Sequence, residues 1–200
     1  MSYLVPVGTE RVEIVISHSR FIATASHVNT VEEARAYLAQ MRHAMPDASH
    51  HVYAFRVGYG SSVIEGVSDD GEPSGTAGAP ILAVLRGTKI GDVIIVVTRY
   101  FGGTKLGTGG LVRAYTEAAQ AVFAILPTEL KIEKCIVGIE APYTLYELIK
   151  RLVASHSGVI QEESFTSDVM LMIEFPNVML EGFTSALREL SAGKVTPILL

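Results

Sequence analysis

Residues Asp69 to Arg113 read DDGEPSGTAGAPILAVLRGTKIGDVIIVVTRYFGGTKLGTGGLVR. An acidic turn, Asp69-Asp70-Gly71-Glu72-Pro73, comes first. The run Val93-Ile94-Ile95-Val96-Val97 is apolar throughout, as a strand covered on both faces would be. Arg99 to Arg113 is a glycine-rich loop that opens a helix. Five glycines fall between Gly102 and Gly110. Each costs backbone entropy on folding, so the cluster implies positive φ or close approach by another group. A second glycine-rich helix start, Gly75-Thr76-Ala77-Gly78, lies between the turn and the strand.

Working outward, Val12, Ile14 and Ile16 alternate with polar residues, and Arg11 to Val28 reads as two strands. Asn29 or Thr30 caps a helix with Glu32 and Glu33 in its first turn and Ala34, Tyr37, Leu38 and Met41 on its apolar stripe. Strands are expected over His51 to Val57 and Val63 to Val67. Ser74 or Thr76 is expected to cap a helix through Ile81 to Leu85, with Pro80 harmless near its first turn. Thr108 is expected to cap the next helix, whose stripe is Leu111, Tyr115, Ala118, Val122 and Leu126, and Pro127 ends it. Beyond Pro127 the pattern changes. A strand over Lys131–Ile139, a helix over Leu145–Val153, a hairpin about Thr166-Ser167, a helix from Val178 to Leu190 and a strand from Val195 give βαββαβ, the ferredoxin-like order. The fold class is therefore α+β, in two domains, residues 1–127 and 128–200.

Hydrophobic residues make up 48% of the 200, enough for a sizeable core. No apolar run approaches the roughly 20 residues of a membrane span. The start of the chain lacks the pattern of a secretory signal, and the single cysteine, Cys135, forms no internal disulfide. A soluble cytoplasmic protein is expected. The net charge is −5, which argues against a generic binder of nucleic acid. Residues 1–127 carry 10 cationic against 11 acidic side chains, and residues 128–200 carry 6 against 10. Any anionic partner should meet a local patch in the first part.

The strand–loop–helix from Val93 to Leu111 aims free N–H groups at its loop, and the helix dipole adds positive charge there. Arg99, Lys105 and Arg113 reinforce it. This is a site for phosphate, carboxylate or a nucleic-acid backbone. Neither the Walker A nor the dinucleotide pattern fits, because Thr108 stands where the lysine belongs and Val112 where a glycine would. Asp69, Asp70 and Glu72 could hold a cation or pair with the cationic residues, and a plain turn is the simpler reading. His50 and His51 point to opposite faces of a strand and do not chelate together; His51 is the one expected to face the cleft of Arg99, and a satisfied structural histidine is the simpler reading. Ser74 and Thr76 lie near backbone N–H groups without the GxSxG context of a nucleophile.

The segments Asp69–Gly78, Thr98–Gly103 and Leu106–Tyr115, together with Ser19-Arg20-Phe21-Ile22-Ala23, resemble the IMPACT/YigZ family. The resemblance implies a first domain like domain IV of elongation factor G, a βαβ fold with a left-handed crossover, followed by a ferredoxin-like second domain. Eukaryotic members of that family regulate translation. Two functions follow. One is a translation-associated protein that binds RNA or the ribosome through Arg20, His51, Ser74, Thr76, Arg99, Tyr100, Gly102, Gly103, Lys105, Gly107, Gly109, Gly110 and Arg113. The other is an enzyme or binder of a small phosphorylated or carboxylated metabolite in the same cleft. A patch confined beside Asp69, Asp70 and Glu72 favours the small ligand; one extending along Arg20 and Arg56 favours RNA. A binding protein is expected ahead of an enzyme, with no catalytic residue, metal or cofactor, and a monomer ahead of an oligomer.

Overall fold

The computed structural model describes residues 2–200. In chain order the elements are β1 (Ser2–Pro6), β2 (Glu10–Ile16), β3 (Ser19–His27), α1 (Val31–Ala44), β4 (His50–Val57), β5 (Ile64–Ser68), α2 (Gly78–Gly87), β6 (Val93–Tyr100), α3 (Gly107–Ile125), β7 (Thr128–Ile132), β8 (Lys134–Ala141), α4 (Tyr146–Ser155), β9 (Val159–Phe165), β10 (Val169–Pro176), α5 (Asn177–Leu190) and β11 (Ile198–Leu199). Two compact units result, Tyr3–Lys131 and Ile132–Leu200, with Ser2 grouped with the second. The break lies four residues beyond Pro127.

The first unit is built on a five-stranded sheet in the order β2-β3-β6-β4-β5, with every neighbouring pair antiparallel. The apolar run of β6 takes the centre. Its odd residues, Val93, Ile95 and Val97, pack with Ile81, Leu82 and Leu85 of α2 and with the stripe of α3. Ile94 and Val96 pack with Ala34, Leu38 and Met41 of α1 on the other face. All five are fully buried. Each such side chain contributes about 1.5–3 kcal/mol. Thr30 caps α1 by accepting from the Glu33 amide at 3.1 Å, while Glu33 reaches back to the Asn29 amide at 2.7 Å.

The pairing fixes the chirality of the unit. Strands β3 and β4 both run antiparallel to β6 between them, so they are parallel, and α1 crosses from one to the other. Likewise β5 and β6 flank β4 and are joined by α2. The second crossover runs along the opposite strand direction, travels the opposite way across the sheet and uses the opposite face. Reversing all three axes inverts handedness. One of the two crossovers is therefore left-handed, although about 98% of such units are right-handed.

Two strands depart from the sequence expectation. The segment expected to be one strand from Lys131 to Ile139 is interrupted at Glu133, its first two residues ending β7, and β7 pairs with β1, a strand the sequence reading did not expect. Asp92 holds this ribbon. It sits at φ 50°, and its carboxylate accepts from the Tyr3 hydroxyl at 2.8 Å, the Gly58 amide at 2.7 Å and Lys131 Nζ at 2.5 Å.

The second unit is a sheet in the order β11-β8-β10-β9, all antiparallel, with α4 and α5 on one face. Order and connectivity are those of the ferredoxin-like split βαβ arrangement. Val137, Ile139, Leu171, Ile173 and Phe175 meet Ile149, Phe183 and Leu187 in its core. Among the described residues no helix is long and apolar enough to cross a membrane.

Candidate functional site

Residue parity along β4 and β6 decides what faces what. His50 lies opposite Arg99, and His51 opposite Thr98. Arg99 follows Val97 on the α2–α3 face. Thr98 follows Val96 on the α1 face.

On the α2–α3 face a cleft of about 340 Å³ is lined by Glu72, Pro73, Arg99, Phe101, Lys105, Leu106, Gly107, Thr108 and Leu111. Arg99 forms part of its wall and is only 5% exposed. Its Nη1 donates to Glu72 Oε1 at 2.6 Å, and Nη2 donates to Ser19 Oγ at 3.4 Å. The guanidinium lies 5.3 Å from the Phe21 ring centre and 5.6 Å from that of Phe101. Its Nε has no hydrogen-bond partner among the described residues. Glu72 also accepts from the Tyr115 hydroxyl at 2.7 Å. Burial, followed by that bond to Glu72, pushes the Tyr115 hydroxyl far above its ordinary value. His50 Nε2 stands 3.8 Å from the same carboxylate oxygen.

At the cleft mouth, α3 begins at Gly107 and its N-terminus has no side-chain cap among the described residues. Thr108 does not fill that role, because Leu106 occupies the capping position and Thr108 is already helical. The amides of the first turn therefore face outward without a protein acceptor from a capping side chain. Lys105, exposed beside them, has no ion-pair partner among the described residues.

The glycines divide by cause. Gly103 and Gly107 have φ of 86° and 70°. A Cβ on Gly102 would collide with the His18 carbonyl, so this glycine lets the loop close against the β2–β3 turn. Its amide is taken by Ser19 Oγ at 3.1 Å. Gly110 is crowded by Leu106 Cβ, 2.9 Å from where its own Cβ would sit. Gly109 alone of the five has neither a positive φ nor any atom within 4 Å of the place a methyl would take.

Several expected members lie elsewhere. His51 is on the α1 face, with Nε2 donating to the Met45 carbonyl at 3.2 Å and Nδ1 accepting from Thr98 Oγ1 at 3.1 Å. Burial holds its pKa below the ordinary value, and Asp70 only partly opposes this. His50 faces Glu72 instead, a consequence of register that the dipeptide could not reveal. Arg20 and Tyr100 also lie off the cleft. They stack at 5.2 Å, and Arg20 forms a two-pronged pair with Glu13 at 2.8 and 3.0 Å. Arg113 is exposed on α3 and does not line the cleft. Arg56, buried at the other end of β4, pairs with Glu65 at 3.2 Å.

The acidic turn is engaged by protein donors. Asp69 caps α2, accepting from the amides of Gly75 at 2.8 Å, Ala77 at 3.1 Å and Gly78 at 2.8 Å. This is the role expected of Ser74 or Thr76. Ser74 is exposed, and the Thr76 hydroxyl donates to the Pro73 carbonyl at 2.6 Å. Asp70 accepts from Arg42 Nη2 and from the His51 amide, both at 2.6 Å. Among the described residues no group of three or more His, Cys, Asp or Glu side chains is placed to hold a metal ion. Sequence reasoning missed Tyr115 as a polar partner. The signal was a tyrosine in an otherwise aliphatic stripe, whose hydroxyl needs a partner when buried.

Residues 17–123 match the Impact N-terminal domain, and residues 139–194 match a domain described as Domain of unknown function (DUF1949). The chain is 37% identical to an IMPACT family member of Haemophilus influenzae, covering 99% of this chain and 97% of that one. It is 35% identical to the IMPACT family member YigZ of Escherichia coli, over 97% and 96% of the two chains. A crystal structure described as that of a hypothetical protein superposes over the whole chain and 97% of its own length, with a TM-score of 0.70 and 34% identity. On both its domains and its full-length relatives, the chain belongs to the IMPACT family.

Proposed function

We propose that the first unit binds a single phosphate or carboxylate group in the Arg99–Lys105 cleft, as part of a translation-associated role. The carrying observation is the meeting of two features at one mouth, the uncapped start of α3 and Lys105, which has no ion-pair partner among the described residues, beside a wall that includes the buried guanidinium of Arg99. Helix-start amides and a lysine suit a compact anion. Gly109 adds support. A helical glycine costs about 1 kcal/mol against alanine, and neither backbone conformation nor packing asks for one there.

The cationic groups do not form a track. Arg20 and Arg56 are paired with Glu13 and Glu65 and lie off the cleft. That favours one anionic group over a long RNA backbone. The translation role is what the family resemblance implies, and a terminal phosphate of a nucleotide or RNA end would join the two readings. RNA along the surface is kept as the second reading because Phe101, half exposed at the cleft, offers a stacking face.

The test titrates the full chain with inorganic phosphate, a nucleoside monophosphate and labelled single-stranded RNA across a salt series, with and without ribosomal subunits. Lys105→Ala should weaken the phosphate-bearing probes about tenfold, the value of one charge-assisted hydrogen bond. A steep salt slope for RNA alone would favour the second reading. No binding of any probe by folded protein would end both.

A further inference from the structure

The geometry points to a second docking surface, on the helix-free face of the ferredoxin-like sheet, for a basic amphipathic helix of a partner protein. Val137, Ile139, Leu171 and Ile173 turn into the core. Their neighbours along the strands turn out to the other face. There Met170, Met172, Ile198 and Leu200 surround a trough of about 350 Å³ floored by Gly138. Met170 is 52% exposed and Leu200 68% exposed. Contiguous exposed apolar surface of this kind marks interaction sites. Methionines suit it, because their unbranched side chains repack around different partners.

Charge selects the occupant. Glu140, opposite Met170, and Glu162, opposite Met172, border the trough with their carboxylates on this face, whereas Glu163, opposite Leu171, contributes backbone and turns toward α4. Glu163 accepts from the Tyr146 hydroxyl at 2.9 Å, whereas Glu140 and Glu162 have neither an ion-pair nor a hydrogen-bond partner among the described residues. Among the described residues no cationic one lines the trough. A polyanion is repelled by this rim, and a second copy of the same face would set Glu140 and Glu162 against their own kind. A helix with apolar anchors on one face and flanking Lys or Arg satisfies both the trough and its rim.

The full chain is titrated with a fluorescent helical peptide carrying leucines at i, i+3, i+4 and i+7 and lysines elsewhere, and with the same peptide carrying glutamates. The lysine peptide should bind and the glutamate peptide should not. Met170→Glu should weaken binding at least tenfold, and Glu140→Lys with Glu162→Lys should do the same. Glu181→Lys with Glu189→Lys, an equal charge change on α5, should leave it unaltered. Circular dichroism checks that each variant is folded. Equal loss in both charge pairs would overturn the proposal, since net charge would then explain the binding. So would failure of the lysine peptide to bind, or a dimer in sedimentation that Met170→Glu abolishes, which would assign the face to self-association.

Discussion

Glu72 Oε1 accepts from Arg99 Nη1 at 2.6 Å and from the Tyr115 hydroxyl at 2.7 Å, joining the acidic turn, β6 and α3 at one buried oxygen. Arg99 is thus a wall of the cleft and a member of the core together. Glu72→Ala leaves a buried guanidinium unpaired. The expected loss is about 3–5 kcal/mol, as for other broken buried pairs, read from urea unfolding of the full chain. Arg99→Ala should cost a similar amount. A loss under about 1 kcal/mol would mean that the pair is solvated and not structural.

Lys105 and Gly109 are the residues that separate binding from folding. Lys105→Ala should leave stability within about 0.5 kcal/mol, because the side chain is exposed and unpaired. Gly109→Ala should raise stability by up to about 1 kcal/mol. If a ligand approaches the α3 start closely, the added methyl should weaken phosphate binding. Calorimetry of the variant with phosphate, paired with its melting curve, checks this. Unchanged affinity would mean that no ligand comes near Gly109.

Gly102 sits under a different constraint. A methyl there runs into the backbone of the β2–β3 turn, and backbone does not swing aside as a side chain does. Gly102→Ala should destabilise the first unit by about 1–3 kcal/mol, the usual range for overpacking, with proteolysis appearing first between Arg99 and Lys105.

Asp92 gives the first unit an acid limit. Burial raises its pKa, but Lys131, the Gly58 amide and the Tyr3 hydroxyl together hold it below the ordinary carboxylate value. A carboxylate depressed in the folded state stabilises above its unfolded pKa, and that contribution is lost as pH falls through the folded value. The urea midpoint should therefore decline below about pH 4. Asp92→Asn should be less stable near neutrality and show a flatter acid limb. Parallel acid limbs for variant and parent would contradict this assignment.

Much of this was legible because periodicity is a strong signal. The Val93–Val97 run and the α3 stripe named the centre of the first unit, and the βαββαβ order named the second. The site was less legible, for two physical reasons. A strand's side chains alternate, so whether His50 or His51 meets Arg99 depends on register, which is set by pairing with a segment nearly 50 residues away. Capping is likewise a matter of reach. Asp69 takes the α2 amides from outside the helix, which a local scan for Ser74 or Thr76 could not detect.

The place of β6 also bears on how the chain is made. β2–β3 and β4–β5 are hairpins between consecutive strands, while β6, the last strand of that sheet to be synthesised, goes in between β3 and β4. Until Tyr100 has left the ribosome, the two hairpins, linked through α1, have bare inner edges and no strand between them. The sheet closes from its middle at the end, so the nascent first unit depends on a late, long-range insertion, the kind of step that folds slowly and leaves strand edges open to other chains meanwhile.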